Sequence, residues 1–282
     1  MIGTLYIVST PIGNLQDMTE RARKVLADCD VVCCEDTRHS GMLLKKLGIN
    51  AKKLLSVHKL NEASKADVIV EMLLKGSDIA LISDAGTPLI SDPGERVVQS
   101  AVSAGIEVVA IPGASSVLAA LVVSGFELDR WSFEGFLERK GPERKAQLSR
   151  LKFSTGVTLF FESPNRIAKS AFELAGYCEP ERRIVIAREL TKMHEEIWRG
   201  TVMDISERFI AKVPTKGEII LVVDKFHGKI SDPYGFGNTL SMLEKLFRSG
   251  YSRHDALAIV TLLTERGHKE AYDISLDIWN NR

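Results

Sequence analysis

Ile79-Ala-Leu-Ile-Ser-Asp-Ala-Gly-Thr-Pro-Leu-Ile-Ser-Asp-Pro-Gly94 is the stretch whose reading decides the fold. Its four apolar residues, Ile79 to Ile82, run straight into a polar loop rich in glycine and proline. A run that short and that uniformly apolar reads as a strand buried on both faces. Pro93 to Ala104 then reads as a helix stopped by Gly105, with Asp92 as its N-cap and Glu95 three residues on. Val108 to Ile111 is the next strand, and a helix follows around Ser115 to Val123.

The same alternation extends toward the N-terminus. Leu5 to Val8 is a strand, Pro11 to Gln16 a loop, and Thr19 to Ala27 a helix opened by Asp17 with Glu20 at capping-box spacing. Val31 to Cys34 and Leu54 to Val57 are further strands, and Asn61 caps a helix that runs to about Lys75 and stops at Gly76. Short apolar strands separated by helices, with no two-to-five-residue hairpin turns, predict a parallel sheet covered on both faces. The expectation is an α/β domain over residues 1–125.

From Arg130 to Lys152 the chain turns basic, with Arg139, Lys140, Arg144, Lys145, Arg150 and Lys152 opposed only by Glu134, Glu138 and Glu143, and this reads as a connector. A second α/β domain is expected over residues 126–225, with strands near Val157–Phe161, Ile184–Ala187, Glu196–Arg199 and Glu218–Val223 and a helix opened by Ser163 and Pro164. Lys225 to Asn238 reads as a linker. Residues 239–282 read as three short helices, from Leu240, from Arg253 (Ser252 and Asp255 as capping box, Gly267 as stop) and from Glu270. Such a trio fits a helix-turn-helix-like unit or an accessory bundle equally well.

Composition bounds the function. Apolar residues make up 45% and charged residues 26% of 282, the balance of a folded globular chain. Lys plus Arg and Asp plus Glu are both 37, so the chain cannot hold nucleic acid as a simple polycation, and any such role needs a local basic patch or recognition by shape. Cys29, Cys33, Cys34 and Cys178 show neither metal spacing nor disulfide density and read as small hydrophobes. The first residues lack a basic n-region, and Ile106 to Val123 is broken by Glu107, Pro112 and Gly113, so a cytoplasmic protein without a membrane span is expected.

Familiar catalytic signatures fail one by one. No GxGxxG follows the first strand and no GxxxxGK[ST] is present. Gly113-Ala-Ser-Ser-Val117 resembles a nucleophile elbow but lacks the closing glycine, and His194-Glu195 opens an HExxH in which Trp198 replaces the second histidine. No metal site is expected.

What remains is a set of loops that each leave a strand of the first sheet: Pro11–Asn14, Glu35–Ser40, Asp84–Gly94 and Pro112–Ser116. In a parallel sheet those loops meet at one edge, where open α/β sheets bind ligands. Asp84 has no helix to cap and reads as a ligand contact. Glu35, Asp36 and Arg38 combine carboxylates that suit a proton acceptor with a guanidinium that suits a phosphate. Glu162-Ser163 and Arg188-Glu189-Leu190 are polar clusters at strand ends of the second domain, able to close the crevice from the other side.

LYIVSTPIGNLQDMT, EDTRHSGMLL, SDAGTPLISDPG, FFESPNRI and ARELTK occur together and in this order. On these motifs the chain resembles the tetrapyrrole-methylase (class III) family of S-adenosylmethionine-dependent methyltransferases, within it the members that modify ribosomal RNA, over essentially its whole length. The resemblance implies two α/β domains with S-adenosylmethionine in the cleft between them, commonly as a homodimer. It implies 2′-O-methylation of a cytidine ribose in the decoding region of small-subunit rRNA, with the rRNA or the ribosomal subunit as partner. It assigns Pro11, Gly13, Asn14, Asp84, Ala85, Gly86, Thr87, Pro88, Ser115, Ser116, Glu162, Ser163, Arg188, Glu189 and Leu190 to the cofactor. Glu35 or Asp36 would take the hydroxyl proton and Arg38 a neighbouring phosphate, with Arg139, Lys140, Arg144 and Lys145 adding phosphate contacts. The chain departs from the family pattern at Ala114, where many relatives carry a second proline. Two alternatives stay open: methylation of a tetrapyrrole carbon or nitrogen, and a non-catalytic nucleotide-binding RNA adaptor.

Overall fold

The structure, a computed structural model, describes residues 1–205, 216–227, 239–264 and 268–279. It divides into two compact units, residues 1–226 and 227–282.

The first unit opens with the parallel sheet that the sequence predicts. Strands β1 (Leu5–Val8), β2 (Val31–Cys34), β3 (Leu54–Ser56), β4 (Ile79–Leu81) and β5 (Val108–Ile111) stand in the order β3-β2-β4-β1-β5, every pair parallel. The pleat sends neighbours to opposite faces. Val32 and Cys34 pack with Leu26 of α1 (Glu20–Asp28) and Leu44 of α2 (Thr37–Lys46). Val31 and Cys33 pack with Ile69 of α3 (Glu62–Leu74) and Val97 of α4 (Glu95–Ser103). Both faces are therefore apolar, which is why the strands read as unbroken hydrophobic runs. The four cysteines are buried free thiols, and burial pushes Cys29 and Cys33 up to about 12.

Three local expectations change. Thr19, not Asp17, caps α1, its hydroxyl accepting from the Ala22 N–H at 3.1 Å. The segment read as a Glu35–Ser40 loop opens α2, with Asp36 as N-cap. The cap of α4 is Gly94 rather than Asp92, and the orphan N–H groups there go to a distant carboxylate, since Glu62 Oε1 accepts from Gly94 at 3.0 Å and Arg96 at 2.7 Å.

The second sheet runs β6-β7-β10-β8-β9: β6 (Trp131–Phe136), β7 (Val157–Glu162), β8 (Arg183–Arg188), β9 (Glu196–Thr201) and β10 (Ile219–Val223). Only β6 and β7 are parallel. The expected basic connector is thus strand β6 followed by α6 (Pro142–Leu151), with Gly141 before it and Pro142 at its first turn. One face of this sheet packs on α6 and α7 (Pro164–Leu174) through Leu148, Leu151, Ile167 and Leu174. Its other face, with Val157, Leu159, Ile220 and Val222, packs on Val117, Ala120 and Leu121 of α5 (Ser116–Val122), the last helix of the parallel-sheet half. Helix α5 thus follows the last parallel strand in the chain but is buried against the second sheet, and both sheets lie in one unit.

In the second unit, α8 (Thr239–Arg248), α9 (Arg253–Thr264) and α10 (His268–Trp279) close on Leu243, Ala256, Leu257, Val260 and Ala271. Ser252 caps α9 as read, accepting from the Asp255 N–H at 3.1 Å. Residues 228–238 of the expected linker and the stop at Gly267 lie outside the described residues. Among the described residues no helix is long and apolar enough to cross a membrane.

Candidate active site

The loops after β1, β4 and β5 are tied to one another by hydrogen bonds. Thr10 and Gly86 exchange backbone bonds of 2.9 and 3.0 Å, Ser9 Oγ meets Thr87 Oγ1 at 3.1 Å, and the Thr87 hydroxyl donates to the Ala114 carbonyl at 3.1 Å. Ser83 Oγ donates to the Ala85 and Gly86 carbonyls, each at 3.2 Å. The loops therefore hold their shape before any ligand arrives, so binding orders little.

They line a cavity of about 380 Å³ together with strand ends of the second sheet. Of the residues assigned to the cofactor, Asp84, Ala85, Gly86, Thr87, Ser115, Ser116, Glu162, Ser163 and Leu190 line it. Pro11, Gly13, Asn14, Pro88, Arg188 and Glu189 do not, and the reasons are local. A β-carbon at Gly13 would sit 2.4 Å from Lys192 Cγ and 3.2 Å from the Leu190 carbonyl, so glycine here serves the approach of the chain's own second-sheet loop. Asn14 N donates to Thr191 Oγ1 at 3.1 Å across the same junction. Arg188 turns to Glu196 (3.0 Å) and the Lys216 carbonyl (2.9 Å), while Glu189 accepts from Lys192 Nζ and Glu218 N, both at 2.9 Å. Glu162 lines the wall, but its carboxylate is taken up by Arg166 (2.6 Å), Ser170 (2.6 Å) and the Ser163 N–H (2.7 Å). It positions the wall.

Sequence reading missed the apolar lining, Ile12, Val117, Phe161 and Ile220, and two residues of different character, Asp92 and Phe136. Asp92 is half-buried beside Glu35 and Asp84. Burial first, and then the Glu35 charge, push its carboxyl up to about 6, against the hydrogen bond from Ser83 and the opposing charge of Lys59. Leu89 (φ 74°) and Ser91 (φ 71°) on the same loop are held in the left-handed region, a strain that rigid loops at functional sites sustain.

Glu35, Asp36 and Arg38 stand outside the cavity lining. Asp36 is a part-exposed helix cap that Arg38 grips at 3.1 and 3.3 Å, and this pairing holds its carboxyl down at about 2. A carboxylate held that low is a weaker proton acceptor than an ordinary aspartate. Arg144 is a correction. Its side chain is 5% exposed, ion-paired with Glu173 and bonded to Ser170 Oγ at 2.9 Å and to the Glu138 carbonyl, so no phosphate reaches it. Arg139 and Lys140 line a groove with Arg166 and Asn165, and that groove shares Phe136 and Ser163 with the cavity. Lys145 is exposed on α6.

The donor set fits an adenosyl cofactor. Asp84 Oδ1 is buried without a hydrogen-bond partner, an unmet acceptor on a residue that lines the cavity, and apolar side chains line the same cavity.

The family model of the tetrapyrrole (corrin/porphyrin) methylases matches residues 4–206, and the chain belongs to that family. A ribosomal RNA small subunit methyltransferase I of Haemophilus influenzae is 46% identical over 79% of either chain. One of Synechocystis is 38% identical over 98% of this chain and 99% of its own. Among solved structures, a uroporphyrin-III C-methyltransferase from Thermus thermophilus complexed with S-adenosylhomocysteine aligns with a TM-score of 0.56 at 16% identity, covering 79% of this chain and 97% of its own. Cobalt precorrin-4 methyltransferase aligns at 0.57 and 19%, covering 78% and 94%.

Proposed function

We propose that this protein is an S-adenosylmethionine-dependent methyltransferase that modifies the 2′-oxygen of a cytidine ribose in the decoding region of small-subunit rRNA, in the cytoplasm and as a homodimer. The observation that carries the reading is the pairing of a preformed cavity, with an unmet buried acceptor at Asp84, and an adjoining groove that presents Arg139 and Lys140. A relative named ribosomal RNA small subunit methyltransferase I, matched over 98% of this chain, supports the choice of substrate.

S-adenosylmethionine, when bound, supplies a methyl group already activated by a positively charged sulfur. The protein's part is then positioning and proton handling. Asp84 Oδ1 and the backbone of Ala85 to Thr87 hold the adenosyl ligand, while Ile12, Val117, Leu190 and Ile220 keep water from it. Asp92 takes the hydroxyl proton: a carboxylate near 6 is ionised at neutral pH and is a stronger base than an ordinary aspartate. Glu35 keeps Asp92 poised there by its charge. Arg38, with 89% of its side chain exposed, exchanges Asp36 for an RNA phosphate.

The test is methyl transfer from labelled S-adenosylmethionine to small ribosomal subunits, naked rRNA and uroporphyrinogen, with the product mapped by mass spectrometry. A labelled cytidine ribose in the small-subunit rRNA is expected. Label on the tetrapyrrole alone would overturn the proposal.

A further inference from the structure

Phe136 is 54% exposed and lies where the cavity meets the basic groove. Its direction is built in by the backbone. Phe133 pairs with Leu159 and Phe136 with Phe161, so three steps on β6 match two on β7, and the extra residue is absorbed where Gly135 takes φ 69°. A bulge of this kind re-aims a side chain. Without it, residues 133 and 136 would point to opposite faces. With it, both rings meet Phe161, at 4.8 Å edge-on and 5.2 Å tilted.

The backbone that carries the ring is clamped. Gln147 Nε2 donates to the Phe136 carbonyl at 3.4 Å, Arg166 Nη1 to the Leu137 carbonyl at 3.0 Å, and Arg144 to the Glu138 carbonyl. A rigid, solvent-facing aromatic face beside free cations is how proteins take up unpaired nucleobases, because the ring stacks on the base while the cations follow the phosphates. Resting on the RNA reading above, we propose that Phe136 is a stacking platform for one unpaired nucleobase of a single-stranded RNA whose backbone lies against Arg139 and Lys140. The platform sets the nucleotide at the cavity mouth, next to Asp92.

The experiment uses the full chain and a short single-stranded RNA carrying one 2-aminopurine. Wild type and F136W are expected to quench the probe, and F136A to weaken its binding about 10- to 100-fold. Calorimetry should find S-adenosylhomocysteine affinity in F136A falling several-fold less than RNA affinity, as expected if the ring serves chiefly the RNA. The indole of F136W should itself respond to unlabelled RNA. Arg139→Ala with Lys140→Ala should reduce the salt dependence of binding yet leave quenching at saturation intact.

Equal RNA affinity in wild type and F136A would overturn the platform while leaving the RNA reading standing. Equal losses of RNA and S-adenosylhomocysteine would assign the ring to the adenine instead. Dissociation of a dimer by F136A, without a change in RNA affinity, would assign it to a second copy. Failure of wild type to bind any single-stranded RNA would overturn the platform and the RNA reading together.

Discussion

Asp92→Asn is expected to make the protein more stable and nearly inactive. The ordinary aspartate value is 3.8, and burial with the Glu35 charge raises Asp92 to about 6. The folded state therefore holds this proton more tightly than the unfolded chain, and ionising the group costs folding free energy. The sign follows from linkage: stability falls as pH rises between about 4 and 6, and the full cost is present above that window. At about 1.36 kcal/mol per pH unit the upper bound is about 3 kcal/mol. Asp92 is only half-buried, and solvent screening brings the figure to on the order of 1 kcal/mol. Asparagine keeps the shape and removes the charge, so urea denaturation at pH 8 should show a gain of about 1 kcal/mol that disappears near pH 4. Methyl transfer should fall about 100- to 10,000-fold, as when a general base is removed, with adenosyl affinity preserved. In the wild type kcat/KM should rise through about pH 6, and this limb should be missing in the variant. A loss of stability at pH 8, or a variant that keeps the acidic limb, would refute the reasoning.

Arg144→Ala should destabilise by about 3 kcal/mol, measured by chemical denaturation, because it strips partners from Glu173, Ser170 and the Glu138 carbonyl inside the unit. Arg139→Ala with Lys140→Ala should leave Tm unchanged and lower the slope of RNA affinity against salt by about 2, one for each phosphate that is no longer neutralised. Leu121→Ala, in the helix that packs on the second sheet, should cost about 2–5 kcal/mol by chemical denaturation. Gly13→Ala should cost about 1–3 kcal/mol through its clash with Lys192 and Thr191, and weaken S-adenosylhomocysteine binding by shifting Ile12 and Leu190 in the cavity wall.

The parallel sheet was legible because its strands are buried on both faces and so carry unbroken apolar runs such as Ile79 to Ile82. That the loops after β4 and β5 meet at one cavity was legible for the same topological reason. Misreadings cluster where the deciding partner is far away in sequence. Arg144 looks like one of a basic run until Glu173 and Ser170 come against it, and Asp92 looks like a helix cap because nothing local announces that Glu62 caps α4. Strand β6 and helix α6 were hidden by their charges, although Gly141-Pro142 is a helix-start signature that could have revealed the helix. Phe136 could not have been singled out, since the bulge at Gly135 that turns it toward the cavity mouth is a property of its pairing with β7.

The assignment of the cavity is tested most directly by calorimetric titration of S-adenosylhomocysteine into wild type, Asp84→Ala and Asp36→Ala. One site per chain is expected, with affinity at least about tenfold weaker in Asp84→Ala, as for removal of a hydrogen bond to a charged group, and unchanged in Asp36→Ala. Undiminished binding in Asp84→Ala together with a loss in Asp36→Ala would place the adenosyl ligand outside this cavity and contradict the account.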